Sequence, residues 1–385
     1  MIARQLGEKA QQLFGQFPAL MITGPRQSGK TTLIRSLFSE LPYVSLEEPD
    51  IRQRALEDPR SFLKNYPNGA VLDEVQRVPN LFSYLQGIID SNADCHFVLS
   101  GSQHFLLMEQ VTQSLAGRVA ILQLLPLSLL EMKNAELPLS SIEETMFTGG
   151  YPRIFSQKIT PYDFHTSYLQ TYVERDVRQL RQVSDLDLFV RFIRLCAGRI
   201  GQLLNVHSLA SDVGISTPTA QAWLSVLQTS HIIFLLQPHF KNFNKRLVKT
   251  PKLYFTDTGL ACNLLGIEKA EQLTSHFLRG GLFENLIILE LLKNRYNQGK
   301  KSNLYFWRDN HGREVDCLVE NIDRFKAIEI KSSQTTNSAF FDGLNFWKDL
   351  TADATESMSV VFGGDISIQA AKGDYISWRN LERLF

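Results

Sequence analysis

Two sets of residues in this 385-residue sequence have types and spacings suited to phosphate chemistry. The first is Gly24-Pro25-Arg26-Gln27-Ser28-Gly29-Lys30-Thr31, which fits the G-x-x-x-x-G-K-[ST] phosphate-loop pattern. Glycines let backbone N–H groups close on phosphate oxygens, and a helix starting at once aims its N-terminus at the same anion. Gly24, Pro25, Arg26, Gln27, Ser28, Gly29, Lys30, Thr31 and Thr32 are expected to line a nucleotide. Lys30 would reach its β- and γ-phosphates, and the Thr31 hydroxyl would bind Mg²⁺.

A second signal follows in Gly69-Ala70-Val71-Leu72-Asp73-Glu74, an apolar run ending in two acids. Asp73 would hold Mg²⁺ directly or through water, and Glu74 would polarise an attacking water as general base. That pairing argues for hydrolysis rather than transfer to a small acceptor. Residues 95–103 read as another buried strand with a polar end, where Ser102 or Gln103 could sense a γ-phosphate, Ser102 being preferred. Arg118 is a candidate guanidinium for transition-state charge, in cis or donated to a neighbouring copy; the alternative is an ordinary solvated arginine.

The other set lies in the tail. In Lys326-Ala327-Ile328-Glu329-Ile330-Lys331, a strand period of two places Glu329 and Lys331 on one face. Asp316, in Glu314-Val315-Asp316-Cys317, can join them from a neighbouring strand. Asp316 and Glu329 around Mg²⁺, with Lys331 beside the attacking water, suit phosphodiester hydrolysis. Glu284 could add a helix-borne ligand or orient that water. The ordered set fits the PD-(D/E)XK pattern of nucleases. The alternatives are a salt-bridged strand or an inactive nuclease fold.

These residues need elements to hold them. Apolar runs near 19–23, 43–46, 70–73, 97–100 and 119–124 alternate with helical stretches. That order predicts an α/β fold, a parallel sheet with helices on both faces and the nucleotide at the carboxyl ends of its strands. Gly149-Gly150-Tyr151-Pro152-Arg153 marks a domain boundary. A helical pattern covers 162–181, where Glu174, Arg175, Asp176 and Arg178 form a solvated face or relay nucleotide state. Residues 205–224 read as helix-turn-helix, with Gly214 in the turn and Ser216 as N-cap. Ile232–Leu236 and Lys252–Phe255 read as strands of a wing, joined by the basic loop Lys241–Lys249. This winged-helix region either grips a phosphate backbone or serves as a scaffold, since Ser216 to Gln228 contains no Lys or Arg. A helix over 282–292 and strands over 304–307, 314–319 and 326–331 complete an α/β tail. The expected domains are 1–150, 151–265 and 266–385.

Composition narrows the class. Lys+Arg and Asp+Glu are both 40, so the net charge of zero offers no overall attraction to nucleic acid. The four cysteines are widely spaced without a C-x-x-C pair, which argues against a zinc site or disulfide framework. No leader-like segment opens the chain, and no apolar run approaches ~18 residues. A cytoplasmic protein with no membrane partner is expected.

Taken jointly, the chain resembles the bacterial and archaeal AAA-type P-loop ATPases with a C-terminal PD-(D/E)XK nuclease-like domain of uncharacterised function. The resemblance rests on 24–31, 71–74, 98–102, 114–118, 149–153, 168–178, 252–259 with Asp257, and 314–331, and it covers nearly the whole chain. It implies an ATP-binding core, a winged-helix linker and a nuclease-like end, with ATP and Mg²⁺ as cofactors. Two functions compete. In one, ATP hydrolysis controls a nuclease-like, DNA-acting module. In the other, a slow ATPase moves an inactive nuclease-like domain between partners or nucleic acid. A small-molecule kinase would leave Glu74 and the long C-terminal half without a role. A homo-oligomer follows if Arg118 acts in trans.

Overall fold

The computed structural model describes residues 2–92, 94–101, 114–138, 140–173, 177, 183, 185–239 and 248–385. Ser102, Gln103, Glu174, Arg175, Asp176, Arg178 and most of the basic loop, 241–247, lie outside the described residues. Two compact units emerge. The first comprises Met1–Leu127, Thr229–His231 and Arg295–Lys301; the second comprises Ser128–Gln228, Ile232–Asn294 and Ser302–Phe385. The expected boundary at 150 and the separation of 151–265 from 266–385 therefore do not coincide with the units.

In the first unit, β1 (Ala19–Thr23), β2 (Tyr43–Ser45), β3 (Val71–Asp73), β4 (Phe97–Gly101) and β5 (Val119–Gln123) form one sheet in the order β2-β3-β4-β1-β5. Every pairing is parallel, as the alternation of strands and helices predicts. The apolar runs are continuous because both faces are covered. Ala19, Met21, Leu72 and Leu99 enter one core, whereas Leu20, Ile22, Val71, Val98 and Leu122 enter the other. Alternate side chains of one strand thus serve opposite layers. The carboxyl ends of β1, β3 and β4 fall along one edge of the sheet, with Thr23 opposite Gly101 and Leu72 opposite Leu99.

The second unit begins with helices. Ser128 opens Leu129–Asn134 with a capping box, its hydroxyl accepting from Glu131 N while Glu131 returns a bond to Ser128 N. Helices Val206–Val213 and Thr217–Thr229 flank the expected turn, and Gly214 there has φ +89°, a conformation open to glycine. Asp257 is a buried tie between distant segments. Its Oδ1 accepts from Leu260 N at 3.0 Å, capping Thr258–Leu264, and its Oδ2 accepts from Gly150 N at 2.7 Å. Gly149 must be glycine for Asp257 to come this close, since a Cβ would collide with the carboxylate.

Eight strands follow in the order β12-β13-β11-β10-β9-β8-β6-β7. They are β6 (Ile233–Pro238), β7 (Lys252–Phe255), β8 (Leu304–Arg308), β9 (Glu314–Asn321), β10 (Arg324–Lys331), β11 (Thr355–Phe362), β12 (Ile368–Ala370) and β13 (Gly373–Ser377). The expected order of helix and three strands is present as Arg279–Asn297, β8, β9 and β10. One expectation needs correction. The strands read as a separate wing, β6 and β7, pair antiparallel with each other, but β6 also runs parallel to β8. They extend the C-terminal sheet, which is why the middle and tail segments share one unit. Helix Asp342–Thr351 covers this sheet through Leu344 and Trp347, against Trp307, Val315, Phe325 and Val360. All four cysteines are buried and free.

Candidate functional site

The phosphate loop joins β1 to helix Lys30–Leu37. Gly24 has φ +147°, and a Cβ there would collide with the Leu124 carbonyl oxygen. Gly29 has φ +96° and precedes the helix, leaving the first-turn N–H groups aimed into the loop. Lys30 is buried, and its Nζ donates to Gly24 O at 2.9 Å and Pro25 O at 2.8 Å. The ammonium therefore already lies inside the loop that phosphates would fill. Arg4 ties the loop to its sheet, donating to Ser28 O and Leu125 O, each at 2.6 Å.

Asp73 sits at the end of β3 with 5% exposure and is the hub of the site. Its Oδ2 accepts from the Thr31 hydroxyl at 2.8 Å and from the Tyr43 hydroxyl at 2.5 Å. Its Oδ1 accepts from the Ser100 hydroxyl and from Glu74 N, the latter at 3.1 Å. Burial raises the Tyr43 hydroxyl well above the usual tyrosine range, and the adjacent Asp73 adds to the shift. The Arg35 guanidinium lies 3.7 Å above the Tyr43 ring, a cation–π contact. Glu74 has φ +55° and ψ +45°, an uncommon conformation for a non-glycine residue that turns the chain sharply after the strand. Its carboxylate accepts from the Gln76 side-chain amide. The Thr31 hydroxyl and the Asp73 carboxylate form a hard-oxygen pair beside the phosphate loop, a donor set that fits Mg²⁺.

Lys30, Thr31, Asp73 and Glu74 are thus brought to one edge of the sheet. Ser102 lies outside the described residues. Among the described residues, Ser100 of β4 donates its hydroxyl to Asp73. Tyr43 carried no motif signal.

Of the options left open for Arg118, the cis role does not agree with its place in the sheet. It directly precedes β5, whose Val119 is opposite Ala19 at the start of β1, whereas the phosphate loop follows Thr23 at the other end. Five residues of strand separate the two, about 16 Å. Arg118 instead grips Asp90, with Nε–Oδ1 at 2.5 Å and Nη2–Oδ2 at 2.9 Å.

The second unit gathers an acid–lysine site. Asp316 Oδ2 accepts from Ile330 N at 2.8 Å, which fixes it against β10. Lys331 Nζ is 2.5 Å from Glu329 Oε1 and 3.8 Å from Asp316 Oδ2. Asp316, Glu329 and Lys331 are therefore neighbours. Glu284, from helix Arg279–Asn297, faces Lys252 and Tyr254 of β7, accepting from Lys252 Nζ at 2.8 Å and Tyr254 OH at 2.5 Å. Lys252 Nζ also pairs closely with Glu314 Oε1, and Arg308 takes the other Glu314 oxygen at 3.0 Å. Burial pushes the Glu329 carboxyl up to about 8, with Asp316 adding to it. Burial likewise pushes Glu284 up to about 7, against the opposing pull of Lys252. Burial disfavours the charge on Lys252, but Glu284, Asp316 and Glu314 more than offset it and raise its pKa.

Beside the expected metal pair of Asp316 and Glu329 stands a second grouping of acids. Carboxylate oxygens of Glu284, Glu314 and Asp316 lie within 4.8 Å of one another, whereas Glu329 is paired with Lys331. Spacing alone would admit a divalent ion at the first three. The donor set does not fit one in this state, because the Lys252 ammonium stands between Glu284 and Glu314. Glu314 was legible as the same-face neighbour two residues before Asp316. Lys252 and Tyr254 were not, because nothing local to β7 announces its place in the sheet.

Residues 16–133 match the AAA domain family. That match falls mostly within the first unit, which resembles an AAA-type P-loop domain. Residues 139–271 match a domain of unknown function (DUF8612), and residues 279–381 match another (DUF4143). The chain is similar to uncharacterized protein Rv2008c of Mycobacterium tuberculosis, at 29% identity over 336 residues, covering 86% of this chain and 74% of that protein. It is also similar to uncharacterized protein MJ1544 of Methanocaldococcus jannaschii, at 24% identity, covering 78% of this chain and 71% of that one. The solved Walker-type ATPase PABY2304 of Pyrococcus abyssi aligns over 69% of this chain and 96% of its own, with 16% identity and a TM-score of 0.46. Among the described residues, no helix is long and apolar enough to cross a membrane.

Proposed function

We propose that the chain is a Mg²⁺-dependent ATP-hydrolysing switch acting on its own nuclease-like second unit. The 2.8 Å hydrogen bond between Thr31 and Asp73, beside the buried Lys30, carries this reading. Thr31 and Asp73 are the two groups that would face Mg²⁺ in a P-loop enzyme. They would hold the ion, which would supply countercharge to the reacting phosphates. Lys30 exchanges the carbonyls of Gly24 and Pro25 for phosphate oxygens. Glu74, released from Gln76, takes the proton of the attacking water. Ser100 and Tyr43 keep Asp73 in place throughout.

Two substitutions test the reading. Lys30→Ala is expected to abolish binding of a fluorescent ATP analogue. Glu74→Gln is expected to retain that binding and slow turnover by about 10²–10⁴-fold, the usual contribution of a general base. Unchanged turnover in Glu74→Gln would remove Glu74 from the mechanism.

For the second unit, the gathering of Asp316, Glu329 and Lys331 favours a phosphodiester-cutting module, and Lys252 among the acids favours one that binds without cutting. Nuclease assays on single-stranded, duplex and branched DNA, with ATP and Mg²⁺ or Mn²⁺ present, separate them. Cutting that disappears in Asp316→Ala and Lys331→Ala supports the first reading. Intact substrate throughout supports the second.

A further inference from the structure

Lys252 occupies an unusual position for a lysine. Its side chain is 4% exposed, and its Nζ bonds to Glu284 and Glu314, whose oxygens converge with those of Asp316. The backbone delivering it is held on both sides. Leu236 faces it across β6, Leu203 bridges it on the other flank, and Leu204 N and Gly201 N donate to Pro251 O and Leu253 O at 2.8 and 2.9 Å. The stem passes Phe306, with Nζ 5.5 Å from the ring centroid.

A bridging divalent ion needs oxygens at roughly 2.0–2.6 Å. An ion bridging Glu284 and Glu314 would stand in the volume that the ammonium fills. Charge points the same way. Four acidic side chains (Glu284, Glu314, Asp316 and Glu329), not all ionised at once, face three basic ones, Lys252, Lys331 and Arg308. Two further positive charges would overfill this nearly balanced cluster.

We propose that Lys252 is the built-in cation of this site, holding Glu284 and Glu314 in place of a divalent metal, so that metal enters only when Lys252 leaves. The nuclease-like unit is thus closed to metal by its own side chain. Opening it requires β7 or the Lys252 side chain to move. This inference concerns the acid–lysine site alone and does not depend on ATP turnover.

The test is Mn²⁺ binding to the nucleotide-free full chain, followed by loss of the free-ion paramagnetic signal. The wild type is expected to take up no Mn²⁺ that Glu314→Gln abolishes. Lys252→Met keeps a stem of similar bulk without the charge. It is expected to gain a site at least about tenfold tighter than any in the wild type, ~1.4 kcal/mol, and to lose it in Lys252→Met/Glu314→Gln. Glu314-dependent Mn²⁺ binding by the wild type overturns the proposal, as does a folded Lys252→Met chain that gains none. If Lys252→Met melts early, Mn²⁺ is expected to raise its melting temperature, and a melting temperature unmoved by Mn²⁺ overturns the proposal equally. Because no nucleotide is present, a failed ATPase reading would leave these outcomes unchanged.

Discussion

Replacing Asp73 with asparagine separates what the residue does for the fold from what it does for chemistry. Asp73 accepts four hydrogen bonds, two at each oxygen. The backbone N–H of Glu74 cannot turn round, so the asparagine oxygen must take the place of Oδ1. Its amide nitrogen then faces the hydroxyls of Thr31 and Tyr43, which can rotate and accept. All four contacts survive in neutral form. Charge-assisted bonds weaken to neutral ones, each by about 1 kcal/mol. Removing a charge that is 95% buried offsets much of that loss. The expected net cost is about 1–2 kcal/mol, a few degrees in melting temperature. Chemistry fares differently. A carboxamide is a poor partner for Mg²⁺, and loss of about 3–4 kcal/mol of transition-state stabilisation slows turnover about 10²–10³-fold. The assay pairs a thermal melt with ATP turnover titrated against Mg²⁺. The reasoning is refuted by an Asp73→Asn protein with wild-type turnover at wild-type Mg²⁺. A melting loss several times larger would instead show Asp73 to be chiefly a structural residue.

Three further outcomes are expected. Gly24→Ala drives a Cβ into Leu124 O at φ +147°, so the loop must shift, and ATP-analogue fluorescence should report affinity down by about tenfold or more. Asp257→Ala removes the cap of Thr258–Leu264, about 1 kcal/mol, and strands the buried Gly150 N–H, about 1–3 kcal/mol. Urea unfolding should show that summed loss, and about half of it in Asp257→Asn. Glu329 titrates at about 8 when folded against an ordinary 4.5. Its raised value means the folded chain holds a proton that the unfolded chain has released. Its contribution to stability is therefore full below about pH 4.5 and declines as pH rises toward 8, by up to ~1.4 kcal/mol per pH unit. Glu329→Gln should flatten that decline in denaturation measured from pH 5 to 8.

How much was legible depended on whether the determining contacts were local. Gly24 to Thr31 is a strand end, a loop and a helix start in one stretch, so its geometry follows from its own residues. Asp73 and Glu74 were readable because an apolar strand leads straight into them. Ser100 shows where this stops. The pairing of β3 with β4 is what sets Ser100 against Asp73, and no local pattern announces it. That a cis role for Arg118 conflicts with its place was already readable in the sequence: a residue preceding a parallel strand lies at the edge opposite the strand's carboxyl end. In the tail, the helix and three strands were legible from periodicity. The alignment of β6 with β8 was not, since it joins residues nearly seventy positions apart. That pairing turns an expected wing into a sheet edge and carries Lys252 to the acids.

The two carboxylate sites differ in what holds them, and that difference bears on what each can accept. Asp73 is held by three hydroxyls and one N–H, all neutral. A metal ion arriving there displaces neutral donors rather than an ammonium bound to the carboxylate, and the hydroxyls can reorient at a cost of hydrogen-bond geometry. Glu284 and Glu314 are held by an ammonium. A metal arriving there must displace a full charge, which would be left buried beside it unless the side chain withdraws. In the low dielectric of a protein interior, like charges a few ångströms apart cost several kcal/mol. The first site is therefore poised to exchange its partners on ligand binding, while the second resists exchange until a conformational step moves β7. A switch needs that asymmetry: a site that responds readily to its ligand, and another whose response waits on a separate step. If ATP binding supplies that step, Mn²⁺ uptake at Glu314 should appear in the wild type with a non-hydrolysable ATP analogue and vanish in Lys30→Ala.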